Sequence, residues 1–161
     1  MKETKMRVIS ILVENNAGTL ARIASLFARR GYNIDSLTVS ATKDAKISRL
    51  TVTAQLNDLE VEQLIAQTEK LQEVQEIEEL FASSSVLREI MLIKIKVDNG
   101  NRSQIMEIAS VYGGVVVDLS PESMILELTG KPAKIDAFIK MLQDFTVVDF
   151  CRTGVTGMAR N

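Results

Sequence analysis

Read for alternation of apolar and polar positions, the chain repeats itself. Residues 8–13 form an apolar, strand-like run followed by Glu14-Asn15, and residues 90–97 form another followed by Asp98-Asn99. Each run then reaches a glycine, Gly18 or Gly100. Next come stripes at i, i+3, i+4, i+7, the spacing of one helix face: Leu20, Ile23, Ala24, Phe27 and then Ile105, Ile108, Ala109, Tyr112. Both stripes end in glycine, at Gly31 and at Gly113-Gly114, where a helix C-terminus favours it. Strands are predicted over residues 34–40 and 50–54, matched by 115–119 and 124–129. A second helical stripe follows in each half: Val61, Leu64, Ile65, Thr68, Leu71, and Ile135, Phe138, Ile139, Leu142. Matching tetrads, Leu71-Gln72-Glu73-Val74 and Leu142-Gln143-Asp144-Phe145, lead into a last strand.

The order is βαββαβ twice, an α+β chain of two tandem ferredoxin-like units, divided as residues 1–80 and 81–161. Residues 81–87, with three consecutive serines, are the only linker-like stretch. Units of about 80 residues bury only roughly 60% of their unfolded surface and gain from pairing with neighbours. Strand order 4-1-3-2 leaves the second and fourth strands at the edges. In the first unit the fourth strand carries Glu76, Glu78 and Glu79, read as a solvated, repelling edge. The second strand is uncharged after Asp35, so a homodimer through that edge is expected.

Composition narrows the chemistry. The 161 residues include no His, no Trp and one Cys. That removes Ser-His-Asp and Cys-His catalysis and any His or CxxC metal site. Cys151, with no base to activate it, reads as a structural thiol. Net charge is −2, and neither half is a basic arm or acidic tail, so no nucleic acid or anionic membrane is nominated. The predicted central strands carry no aromatic to stack on RNA bases. No apolar run is long enough to span a membrane, and a lone Cys suits a reducing compartment, so a cytoplasmic location is expected.

The densest information lies in Glu14-Asn15-Asn16-Ala17-Gly18-Thr19-Leu20. A strand enters a tight turn that opens directly into a helix, whose first N–H groups and dipole suit a carboxylate. Gly18 permits close backbone approach, and the Asn15 amide has both an acceptor and a donor. That is the polar equipment for a free amino acid, although Asn and Gly also make ordinary turns. Neither GxxxxGK[ST] nor GxGxxG is present. Asn33, between helix and edge strand, is the second candidate. The second half lacks it, and its first turn is shorter, so that half need not hold a ligand.

These residues resemble a known family. The stretch Val8-Ile9-Ser10-Ile11-Leu12-Val13-Glu14-Asn15, with Gly18, Leu20, Arg22, Ile23, Leu26, Phe27 and then Arg30-Gly31-Tyr32-Asn33-Ile34-x-Ser36-Leu37-Thr38-Val39, is similar to the first domain of acetolactate synthase (acetohydroxyacid synthase) small regulatory subunits. Residues 88–94 resemble that family's inter-domain segment, and Arg152-Thr153-Gly154-Val155 its C-terminal signature. The resemblance implies an ACT domain followed by an ACT-like domain. It implies a non-catalytic subunit, without cofactor, that activates a catalytic subunit carrying thiamine diphosphate, Mg²⁺ and FAD. That partner condenses two pyruvates to 2-acetolactate in branched-chain amino acid biosynthesis. Feedback inhibition by valine or another branched-chain amino acid is implied, with the effector between two ACT domains of a dimer. Asn15, Ala17, Gly18, Thr19 and Leu20 of one copy would hold its polar end, and Asn33 and Ile34 of the other would close the site. A freestanding tandem-ACT amino-acid sensor acting on another target is the alternative reading.

Overall fold

The structure, a computed structural model, describes residues 3–161. Those residues form two compact units, one running up to Val86 and including Gly154–Asn161, the other Leu87–Thr153. This departs from the division at residue 80 that the repeat predicts, with all of residues 81–161 in the second domain. Instead, the last eight residues pack with the first unit. The expected linker also contracts, because Ser85 and Leu87 are buried at alternate positions of a strand that starts at Ser85.

The first unit runs β1 (Lys5–Glu14), α1 (Thr19–Arg30), β2 (Ile34–Ala41), β3 (Ile47–Leu56), α2 (Asp58–Thr68) and β4 (Val74–Glu79). Its sheet has the order β2-β3-β1-β4, the expected 4-1-3-2, with every neighbouring pair antiparallel. Side chains alternate between faces along a strand. Ile9, Ile11 and Val13 of β1 therefore join Leu50, Val52 and Ala54 of β3 on one face, and α1 and α2 cover that face with Ile23, Phe27, Val61 and Leu64. Helix α2 starts in a capping box: Asn57 accepts from the Glu60 N–H, and the Glu60 carboxylate accepts from the Asn57 N–H.

The α1 stripe is rotated from the one the spacing predicted. Thr19, Ile23 and Phe27 face the core, with Leu26 half-buried, while Leu20 and Ala24 are exposed. Thr19 and Leu20 each begin a stripe of helical spacing that includes Phe27. Packing on the sheet selects the Thr19 register and leaves the larger Leu20 in solvent.

The opposite face of this sheet is polar yet buried. Ser10, Thr51 and Thr53 are each less than 4% exposed, and the Ser36 and Thr53 hydroxyls lie 2.5 Å apart. The C-terminal tail packs on this face at β2. The Thr38 hydroxyl donates to the Val155 carbonyl at 2.9 Å, and Val155 is buried. Gly154 sits at φ +84°, and a Cβ built there would lie 3.0 Å from Cβ of Ser36. Both the backbone angle and the approach require glycine. Farther along, the Arg160 N–H donates to the Ser84 carbonyl at 2.8 Å.

The second unit runs β5 (Ser85–Lys96, of which Leu87 onward belongs here), α3 (Arg102–Tyr112), β6 (Val115–Leu119), β7 (Ser123–Gly130), α4 (Pro132–Met141) and β8 (Val147–Arg152). Its sheet order β6-β7-β5-β8 repeats the first topology. Met91, Ile93, Ile95, Leu126, Ile105, Ile135 and Phe138 form a separate core. A final short strand, β9 (Thr156–Ala159), lies in the tail.

The repeats place an ion pair at equivalent positions with the charges exchanged. In the first unit Arg7 of β1, 6% exposed, donates to Glu79 of β4 at 2.9 Å and also pairs with Asp58. In the second, buried Glu89 of β5 accepts two bonds from Arg152 of β8, at 2.6 and 2.8 Å, and Arg152 reaches Asp136 at 2.6 Å. The hydrogen bonds from Arg152 to Glu89, more than any other influence, push its pKa further up. Glu79 is thus an ion-pair partner of a buried arginine, rather than one of three solvated edge charges.

Candidate functional site

The sequence-selected turn lies where β1 delivers the chain to α1. The Asn15 N–H donates to the Lys46 carbonyl at 2.7 Å, and its side-chain amide donates to the Ala45 carbonyl at 3.2 Å. The turn is thereby fastened to the β2–β3 hairpin, and Asn15 Oδ1 remains available to accept from a ligand. Asn16 turns back, its amide donating to the Glu14 carboxylate at 2.9 Å. The Thr19 N–H closes onto the Asn16 carbonyl at 3.2 Å.

Helix α1 then starts without a side-chain cap and without an acidic residue in its first turn, while Arg29 and Arg30 occupy its last. No cap or acidic side chain of the helix's own first turn compensates the positive end of its dipole. Gly18 has φ −109°, an angle open to any residue, and a Cβ there would meet nothing within 4 Å. Neither backbone conformation nor packing within the chain demands glycine at this position. What glycine provides is an open approach to the helix N-terminus. Beside it the Thr19 hydroxyl is buried with no hydrogen-bond partner. A buried hydroxyl without a partner is costly, and here the cost comes with the helix register that turns Thr19 to the core beside Ile23 and Phe27. Leu20 and Ala17 are exposed next to these donors. One turn along, Arg22 pairs with Glu73.

Asn33 and Ile34 lie elsewhere. Gly31, in the left-handed conformation at φ 71°, ends α1, and exposed Asn33 precedes Ile34 at the start of β2. Ile34 pairs with Ala54, whereas the far end of β2, Ala41, pairs with Ser48 beside the end of β1. The Asn15–Gly18 turn is at the Ala41 end. Seven residues of strand, at about 3.3 Å each, put Ile34 roughly 23 Å from that end. The five turn residues come together in one chain, and Asn33 and Ile34 do not join them. β2 is an edge strand, and antiparallel pairing of two such edges about a two-fold axis would set Ile34 of one copy against the Ala41 end of the other. Leu37 and Val39, opposite core residues Val52 and Leu50 in register, stay 37% and 51% exposed on that edge.

The corresponding turn of the second unit is closed by its own carboxylate. Asp98 Oδ1 accepts from the Gly100 and Asn101 N–H groups at 2.7 and 2.9 Å, and Asn101 Oδ1 accepts from the Asp98 N–H. The N–H groups just ahead of α3 are thus taken by the chain's own carboxylate. Composition alone could not reveal the outward turn of Leu20, the lone Thr19 hydroxyl or the hairpin carbonyls on Asn15, since each depends on helix rotation or on a distant segment. Among the described residues there is no group of three or more Cys, Asp or Glu placed to hold a metal, and Cys151 is exposed.

Comparison with known proteins agrees with this architecture. A family model described as the AHAS small subunit-like ACT domain matches residues 9–76, and one described as the small subunit of acetolactate synthase matches residues 88–161. The acetolactate synthase small subunit of Mycobacterium bovis is 40% identical over 156 residues, 97% of this chain and 93% of that one. The chain belongs to the acetolactate synthase small-subunit family. A probable small subunit of Archaeoglobus fulgidus is 41% identical over 152 residues, 94% of this chain and 95% of its own. The crystal structure of the Thermotoga maritima small subunit superposes with a TM-score of 0.88 at 35% identity, covering 97% of this chain and 98% of that one. The small-subunit likeness therefore spans both units. Among the described residues no helix is long and apolar enough to cross a membrane.

Proposed function

We propose that this chain is the regulatory subunit of an acetolactate synthase. It raises the activity of a catalytic subunit that carries thiamine diphosphate, Mg²⁺ and FAD, and it confers feedback inhibition by valine or another branched-chain amino acid. The observation that carries the effector site is the uncapped start of α1 beside an unencumbered Gly18. In this reading the amino acid's carboxylate lies on the helix N-terminus and its ammonium on Asn15 Oδ1. Its branched side chain meets Ile34 and Asn33 of a second copy, joined through the β2 edge. The second unit binds no effector, because Asp98 fills its turn.

Regulation then follows from linkage. An effector held between two copies favours one arrangement of the dimer, and a catalytic subunit that distinguishes the arrangements feels a coupling of about 1–3 kcal/mol. The decisive variant is Gly18→Asp. Its Cβ enters open space at an ordinary φ, so the turn survives, while the new carboxylate occupies and repels the effector's. Assayed with a catalytic subunit for acetolactate formation, it should still stimulate and no longer respond to valine. Full valine sensitivity in Gly18→Asp would overturn the site, and absence of stimulation by the unmodified chain would overturn the subunit assignment.

A further inference from the structure

On the polar face of the first sheet, away from the helices, a cavity of about 590 Å³ lies against the β2–β3 hairpin and the C-terminal tail. That is within the roughly 300–1,000 Å³ of small-molecule sites. Its apolar wall is Leu12 of β1, Ile47 of β3 and Met158 of the tail. Arg49, in register with Leu12 and half-buried, also lines it. One guanidinium N–H donates to the Ser10 hydroxyl at 2.5 Å. Among the described residues Arg49 has no carboxylate partner, unlike Arg7, Arg22 and Arg152. Lys43 adds a second positive charge, and Asp44, the one carboxylate among the described lining residues, already accepts from the Lys46 N–H at 2.9 Å. The cavity therefore presents a planar cation, with donors to spare, beside aliphatic and thioether surface.

We infer that this cavity binds a small carboxylate with an apolar body, its carboxylate on Arg49 and its body against Leu12, Ile47 and Met158. A guanidinium fork matches a carboxylate in two parallel bonds, and partial burial strengthens both. Glu76 and Glu14 stand opposite Leu12 and Ile47 on the same face, so the choice of a carboxylate over an ammonium rests on the Arg49 fork itself. The two sites share the hairpin and nothing else: Thr42, Lys43 and Asp44 border the cavity, while the Ala45 and Lys46 carbonyls hold Asn15.

The test uses the full chain with methionine methyls labelled for NMR, the Met158 signal being assigned by its loss in Met158→Leu. Hexanoate is the probe, with hexan-1-ol and hexylamine as neutral and cationic controls of equal length. Hexanoate should shift the Met158 methyl saturably, with both controls binding roughly tenfold more weakly or less. Arg49→Met should abolish the shift while keeping the wild-type circular dichroism. If Arg49→Met does not fold, Arg49→Lys carries the test, and keeping the charge without the fork should weaken binding. Gly18→Asp should leave hexanoate binding unchanged. No saturable shift, equal response to the three probes, undiminished binding in the folded Arg49 variant, or loss of binding in Gly18→Asp would overturn the assignment.

Discussion

Gly154→Ala measures how firmly the C-terminal tail is docked on β2. The glycine has φ +84°, where a Cβ costs about 1–2 kcal/mol. The added methyl would also stand 3.0 Å from Cβ of Ser36, 3.2 Å from its hydroxyl and 3.2 Å from the Thr38 methyl. Those neighbours belong to a paired strand and cannot swing away like the end of a long side chain, so overpacking adds about 1–3 kcal/mol. The reduced freedom of the unfolded alanine chain returns about 0.4–1 kcal/mol. The net expectation is a loss of roughly 2–4 kcal/mol, which for a chain of this length lowers the melting temperature by about 5–15 °C. Thermal melts at fixed protein concentration read it, and amide exchange at Val155 should accelerate with it. Ser36→Gly removes the nearest atom and leaves the backbone strain, so the double variant should regain about 1 kcal/mol or more relative to additivity. If Gly154→Ala melts within about 1 °C of the wild type with unchanged exchange, the tail is not seated on β2 as described.

Two further outcomes follow from the ion pairs and the aromatic at the end of α1. Arg152→Met leaves the Glu89 carboxylate buried and unpaired, so urea unfolding should show a loss of about 3–5 kcal/mol, largely restored by adding Glu89→Leu; a neutral single variant would contradict the pairing. Burial, more than the opposing pull of Arg30, raises the Tyr32 pKa above its ordinary 10.0, with Glu60 raising it further. The folded state thus favours neutral Tyr32, and that stability is complete below pH 10 and lost as pH rises through the folded value. The alkaline limb of a stability profile should be flatter in Tyr32→Phe, and an unchanged limb would refute the assignment.

The hydrophobic pattern carried the topology because each strand and helix has one face that must be buried, and burial writes a period of two or 3.6 into the residues. The Ile105, Ile108, Ala109, Tyr112 stripe and the Val61, Leu64, Ile65, Thr68 stripe both pack on their sheets with those residues buried or half-buried. The α1 stripe misled because two overlapping stripes exist there. Choosing between them depends on how Thr19 and Leu20 meet a sheet whose strands lie far apart in the chain. Glu79 misled for a similar reason: the charge is local, and its partner Arg7 is 72 residues away.

Among the candidate residues, the turn Asn15, Ala17, Gly18, Thr19, Leu20 was legible because strand, turn and helix start are consecutive, so their geometry is local. Asn33 and Ile34 are also local features, but their distance from that turn is set by β2 running the length of the sheet. The sequence by itself determined two βαββαβ units, the strand–turn–helix start at Asn15–Leu20 and the absence of histidine chemistry. Tertiary structure alone decided that the last eight residues return to the first unit, that Gly154 is needed there, and that Arg49 lines a cavity without a carboxylate partner. These depend on contacts between residues more than 30 positions apart, which leave no periodic trace because nothing in their immediate neighbours has to change to make them.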